Sequence, residues 1–192
     1  PVAKPAAKQA IDDALKAKND AIDANNDLTA EEKAKAKEDA KAKADTAKEA
    51  IDNATTNDAV TKAKTAGTTS VDSVTPTPVA KPVAKKAIDD ALKAKEAEID
   101  ANNDLTAEEK AKAKEDAKAK ADAAKTAIDN ATTNDAVTQA KNDGATSVDS
   151  VTPTPVAKPA AKKAIDDVLK AKEAEIDANN DLTAEEKAKA KE

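Results

Sequence analysis

Residues 28–54 read LTAEEKAKAKEDAKAKADTAKEAIDNA, and the same stretch returns at 105–131 with two changes and opens again at 182–192. Thr29-Ala30-Glu31-Glu32 has the form of a capping box: a threonine hydroxyl placed to accept from the amide of Glu32, and a glutamate placed to accept from the amide of Thr29. Behind it, Ala36, Ala40, Ala47, Ile51 and Ala54 recur at helical spacing, with Lys, Glu and Asp between them. The spacing predicts a helix from the box to about Ala54, with Leu28 packed back onto its first turn. Glu31 to Lys35 and Lys41 to Asp45 are i,i+4 pairs of opposite sign on its outer side.

The whole chain is one cassette repeated. Positions 1–77 return as 78–154 with 11 substitutions and no insertion, and a third copy starts at Pro155 and runs to Glu192. This sets three units, 1–77, 78–154 and a partial 155–192. Such a period marks an array of like modules, which act through number and length rather than through one active site.

Within the first cassette a helix opens at Pro5, since a proline loses nothing in a first turn, and runs to about Ala24. Ala7, Ala10, Ala14, Ala17, Ala21 and Ala24 form one stripe, with Ile11, Leu15 and Ile22 beside it. Asn25-Asn26-Asp27 ends it, because short polar side chains compete for backbone hydrogen bonds. After the capping-box helix, Thr55-Thr56-Asn57-Asp58 supplies a third N-cap and starts a short helix. Ala59, Val60 and Ala63 face inward, and Gly67 is the stop. Residues 68–81 carry Pro76 and Pro78 and read as a stiff, partly docked connector.

The fold class is therefore all-α, an elongated tandem array of three-helix units; whether the units are separate bundles or one continuous helical rod stays open. Large aliphatics are few: Val2, Ile11, Leu15, Ile22, Leu28, Ile51, Val60, Val71 and Val74 in the first cassette. Low aliphatic content also marks disorder, but three capping signals and sustained helical spacing argue for order. Alanine must supply the rest of the core, since it has the best helix propensity and lets helix axes approach closely.

Composition excludes most chemistry. The chain has no Cys, His, Met, Trp, Tyr or Phe, and all 32 of its basic residues are Lys. Imidazole, thiolate, soft metal ligands and aromatic platforms are thus missing. An enzyme would have to run on Asp, Glu, Lys, Ser and Thr alone. No catalytic, cofactor-binding or metal-binding residue is assigned, and no cofactor is expected. The 32 Lys and 38 acidic residues alternate closely at a net charge of −6, so no basic stripe exists for a phosphate backbone and nucleic acid is not expected as a partner. No apolar run nears the roughly 20 residues that cross a bilayer, so no membrane contact is expected of these residues.

Some local patterns imitate sites. Asp23 to Asp27 matches the first half of a calcium loop, D-x-N-x-D, but Leu28 stands where glycine is required and Ala34 where the bidentate glutamate belongs. Asn53-Ala54-Thr55 and Asn130-Ala131-Thr132 are formal glycosylation sequons placed where a helix ends. The neighbours Asp12-Asp13 and Glu31-Glu32 point about 100° apart on a helix and make poor carboxylate dyads. Lys33, Lys35 and Lys37 could meet an anionic polymer, although interleaved acids favour a solvated face.

The segments AKKAIDDALKAK, IDANNDLTAEEKAKAKEDAKAKADAAKTAIDNATTNDAV and Gly-Ala-Thr-Ser-Val resemble the alanine-rich helical repeats, of unknown function, in cell-wall-anchored surface proteins of staphylococci, streptococci and lactobacilli. The resemblance covers the whole chain and brings no catalytic or binding residue with it. It implies an extracellular, cell-surface location and a stalk that projects a distal adhesive domain. Wall attachment and any host ligand would come through residues outside this sequence, and neighbouring repeats would be the immediate partners. A module for cell–cell self-association or for holding a host protein is the alternative.

Overall fold

The computed structural model describes residues 3–192, so the expectation for Val2 lies outside the described residues. Eight helices follow one another: α1 (Ala3–Ala24), α2 (Ala30–Asn53), α3 (Asn57–Asp72), α4 (Ala80–Ala101), α5 (Ala107–Asn130), α6 (Asn134–Asp149), α7 (Ala157–Ala178) and α8 (Ala184–Ala190). Among the described residues there is no strand. α1, α2 and α3 pack pairwise into one bundle, and α4, α5 and α6 into a second. The two full units are separate three-helix bundles, and among the described residues no helix runs through from one unit to the next.

Each bundle has two apolar layers. One joins Ala7, Ile11, Ala44, Ala47, Ile51, Val60 and Val71; the other joins Ile22, Leu28, Ala36, Ala40 and Val74, with Leu15 touching both. Leu28 thus goes deeper than the first turn of α2 and closes the far layer. The second bundle repeats both layers at positions 77 further on.

Three sequence expectations need correction. The helix ended by Gly67 in the sequence reading continues to Asp72, and the connector shrinks to residues 73–79. Gly67 is there for space: a Cβ added to it would lie 2.5 Å from the Ala47 Cβ and 2.7 Å from the Ile11 Cδ1. A glycine inside the helix lets α3 press onto α1 and α2, and this outweighs its poor propensity. Second, α1 begins at Ala3, which leaves Pro5 within the first turn, where its missing donor is still harmless. Third, the alanine stripe of α1 is only partly inward. Ala7 is buried and Ala10 and Ala14 half-buried, while Ala17, Ala21 and Ala24 are exposed. Ile11, Leu15 and Ile22 set the orientation, because their burial removes far more apolar surface from water than a row of methyls does.

Lys–Asp pairs lace α1 to α2. Lys8 meets Asp52, Lys48 meets Asp12 and Lys37 meets Asp23, and the second bundle repeats all three. They are half exposed and individually weak, but they fix which helix faces which. α7 and α8 carry the same pattern without a third helix, so Ile165, Val168 and Leu169 are exposed where Ile88 is fully buried.

Two sets of substitutions test this packing. Leu105→Ala or Ile128→Ala is expected to cost about 2–5 kcal/mol of stability, while Lys112→Ala on the exposed face should stay within about 0.5 kcal/mol; equal shifts in urea midpoint at all three sites would contradict the assignment of faces. Gly144→Ala, which ordinarily favours a helix by about 0.5–1 kcal/mol, should instead destabilise the second bundle through overpacking. A raised thermal midpoint would show that α6 is not held against Ala124 and Ile88.

Candidate functional site: the joint between repeats

The joint is built from the lower end of one bundle and the upper end of the next. Thr29 caps α2 as its sequence requires: the Glu32 amide donates to the Thr29 Oγ1 (3.4 Å), and the Thr29 amide donates to the Glu32 Oε2 (2.9 Å). The second carboxylate oxygen of Glu32 leaves its own bundle. Its Oε1 accepts from the amides of Val79 and Ala80, both at 3.0 Å, at the start of α4. One carboxylate therefore closes the first turn of two helices in consecutive repeats.

Around it the two ends interlock. Thr29 is fully buried and donates its hydroxyl to the Asn134 Oδ1 (2.7 Å). The Ala30 amide donates to the Thr132 carbonyl (2.7 Å), and the Asn134 amide to the Glu31 Oε2 (2.9 Å). Glu31 is thus spent across the joint, and the expected pair with Lys35 does not form; Lys41 with Asp45 does. Lys81, only 4% exposed, donates to the carbonyls of Asn26 (2.8 Å) and Asp129 (2.6 Å). Its ammonium thereby sits at the carbonyl end of α5, where a cation is favoured, while holding the α1–α2 loop.

The pattern recurs where α7 follows the second bundle. The Glu109 Oε1 accepts from Val156 and Ala157 (2.9 and 3.0 Å), and the Lys158 ammonium donates to the Asn103 carbonyl (2.6 Å). Amide donors stabilise the ionised carboxylate: those of Thr106, Ala157 and Val156, in that order, draw the Glu109 pKa down to about 2. For Glu32, burial pushes the value up, but the amides of Thr29, Ala80 and Val79 outweigh it and the carboxyl lies below its ordinary range. Glu31 is lowered chiefly by the Asn134 amide.

The other sequence-level candidates separate. Asp23 to Asp27 forms a helix stop, with the Asp27 amide donating to the Asn25 Oδ1 (3.0 Å), and the Asp23 carboxylate is paired with Lys37. No group of three potential ligands converges on a metal position among the described residues. Asn53 and Asn130 end α2 and α5. Asp12 pairs with Lys48 while Asp13 accepts from Gln9, so they do not act together. Lys33 donates to the Asp23 carbonyl and Lys37 pairs with its carboxylate, whereas Lys35 borders a groove of about 730 Å³ between α2 and the connector. That groove recurs at about 720 Å³ in the second bundle. Among the described residues no helix is long and apolar enough to cross a membrane.

Sequence reasoning did not find the joint. Its one visible trace is the start of α4, where Val79 stands in place of a capping residue and makes no side-chain cap. The 11 positions that differ between the two full repeats are all exposed or half-buried, and none is among the joint residues named above.

Tandem bundles joined end to end define the class: an all-α repeat array. The chain belongs to the family described as Domain of Unknown Function (DUF1542), which matches residues 3–79, 80–156 and 157–192. It is similar to the extracellular matrix-binding protein EbhA of Staphylococcus aureus strain Newman, 35% identical over 188 residues that make up 98% of this chain and 5% of that protein. The extracellular matrix-binding protein ebh of strain NCTC 8325 / PS 47 is likewise 35% identical over 188 residues, 2% of its length. The chain thus spans a small part of these relatives. No solved structure matches it.

The depressed Glu109 pKa gives a test. A carboxyl whose folded pKa lies below its unfolded value of 4.5 stabilises fully above 4.5, and that contribution fades as pH falls toward about 2. The thermal midpoint of the parent should exceed that of Glu109→Gln by a constant margin above pH 5, and the margin should shrink between pH 4.5 and 2. Parallel curves across that window would show that ionised Glu109 holds nothing.

Proposed function

We propose that the chain is a structural spacer, a segment of the stalk of a bacterial cell-surface protein that holds a distal adhesive domain away from the cell wall. The observation that carries this reading is the joint, since polar contacts run from the far end of one bundle to the near end of the next and so line successive bundles up end to end. Length then grows with copy number, and near-identical repeats allow recombination to change it. Residues 1–77, 78–154 and 155–192 are the units of that growth. Extracellular location is supported by the relatives' printed names, and attachment to the wall would lie in other parts of the parent protein.

The outer faces support a spacer as well. Lys, Asp and Glu cover them in mixed signs, and among the described residues of the two full bundles large exposed aliphatics are confined to Val79 and Val83, too few for the apolar anchor that a protein-binding surface needs. In the first groove Lys43 donates to the Ser73 hydroxyl (3.0 Å), but that hydroxyl donates in turn to the Ser70 carbonyl (2.6 Å) as part of the helix end and both side chains lie at the surface, so the reading is non-enzymatic. The second reading, a binding module, is favoured by one finding: the relatives are named for binding extracellular matrix.

Small-angle scattering separates the two. A helix of 24 residues is about 36 Å long at 1.5 Å per residue, so two and a half units should approach about 90 Å and a radius of gyration near ~27 Å, against ~16 Å for a compact chain of this size. The spacer is expected to stay monomeric and to lengthen nearly in proportion as repeats are added. A compact value, or concentration-dependent association, would favour the binding module.

A further inference from the structure

α4 begins without a cap of its own. The residue at its N-cap is Val79, with no side-chain hydrogen bond to the first turn. An α-helix leaves its first amides unsatisfied, and a sequence normally answers with Ser, Thr, Asp or Asn at this place. Two features take the place of that answer here. Pro82 removes one donor from the first turn, and the Glu32 Oε1 takes the amides of Val79 and Ala80, at 3.0 Å each. The first intrahelical bond, from the Val83 amide to the Val79 carbonyl (3.1 Å), follows directly. The same arrangement recurs at Val156, Ala157 and Glu109, whereas Glu186 caps only α8.

We propose that Glu32 and Glu109 are shared caps acting forward along the chain, so that each repeat starts the first helix of the next and the stiffness of the array passes through this carboxylate at every joint. The coupling is one-way in its construction. The donor repeat contributes a side chain that is already fixed by its own capping box, and the receiving repeat contributes only backbone amides. Glu32 is held in place because its Oε2 accepts from the Thr29 amide, so any tilt of α4 relative to α2 must break two hydrogen bonds that the Val79 and Ala80 amides donate to the same group. The connector at 73–79 is anchored at one end by the buried Val74 and at the other by these bonds, with Thr75 to Pro78 spanning the distance between the two anchors. The other joint contacts, through Lys81, Thr29 and Asn134, set the rotation of one bundle on the next but leave the α4 amides untouched.

Hydrogen exchange on the full chain tests this, with three parallel variants. Glu32→Ala should speed exchange of the amides in 79–83 about fivefold or more, the size expected for a lost cap, together with the first turn of α2. Glu109→Ala should do the same at 156–160 and at α5. Glu186→Ala should affect α8 alone. Unchanged protection at 79–83 in Glu32→Ala, with α2 frayed, would make Glu32 a purely local cap and overturn the proposal. Glu32→Gln guards against simple loss of fold: its one acceptor oxygen can serve the Thr29 amide or the α4 amides but not both, so loss of protection at one of the two helix starts with the rest of the first bundle intact supports the shared cap, and full protection at both overturns it.

Stiffness is read separately. The chain has no cysteine, so spin labels at Thr46→Cys and Thr126→Cys report the distance between α2 and α5 alone, and labels at Gln9→Cys and Thr46→Cys report within one bundle. Glu32→Ala should broaden the first distribution at least twofold and leave the second as it was. An inter-bundle width that does not change would show that the joint is held without the carboxylate. That outcome would leave the spacer reading standing, because end-to-end length is measured independently by scattering.

Discussion

One carboxylate per repeat carries two duties, and most of the architecture follows from its position. At Glu32 one oxygen completes the capping box that starts α2, and the other receives the first amides of α4. A glutamate free in water would cost side-chain entropy to hold in such a geometry. Here the capping box has already fixed it, so the contact across the joint is made by a group with little freedom left to lose. The amide donors in turn outweigh burial and hold its pKa below the ordinary carboxylate range, and at Glu109 they draw the value down to about 2. The contact therefore persists over the whole range in which a surface carboxylate is normally charged.

The bundles beneath the joint answer a shortage of large side chains. With no aromatic residue and few aliphatics, close approach has to substitute for bulk. Alanines 36, 40, 44 and 47 line the inner face of α2, and Gly67 lets α3 come within reach of Ala47 and Ile11. Dispersion between backbone and Cβ atoms is weak per contact but adds up when the helices touch along their length. The Lys–Asp pairs between α1 and α2 add direction more than energy, since a bundle of near-equivalent alanine faces could otherwise pack in more than one register.

Tolerance of change follows the same division. Between the two full repeats, Ala6 becomes Val83, Glu49 becomes Thr126 and Ala66 becomes Asp143, all at exposed positions. The core and the joint are identical. A repeat array needs this, because each bundle must fit both the one before and the one after, while its outer face packs against neither.

The local pattern of residues alone shows a helical tandem array, which helices carry side-chain caps and where those capped helices begin. Those are local matters: Thr29 with Glu32, Thr56 before Asn57 and the Asn25–Asp27 stop each act within one turn of chain, and the alanine and isoleucine spacing of α2 records its buried face. It also pointed wrongly at Gly67, because a glycine that ends a helix and a glycine that admits a neighbouring helix look alike until the neighbour is in place. Only the tertiary structure decided that the units are separate bundles, that Ile11, Leu15 and Ile22 rather than the alanine stripe orient α1, and that Glu31, Glu32 and Lys81 serve the joint. Their partners across the joint, Asn134, Val79 and Asn26, lie 47 or more positions away, and hydrogen bonds between bundle ends leave no periodicity in a sequence, since they depend on which ends the folded bundles bring together.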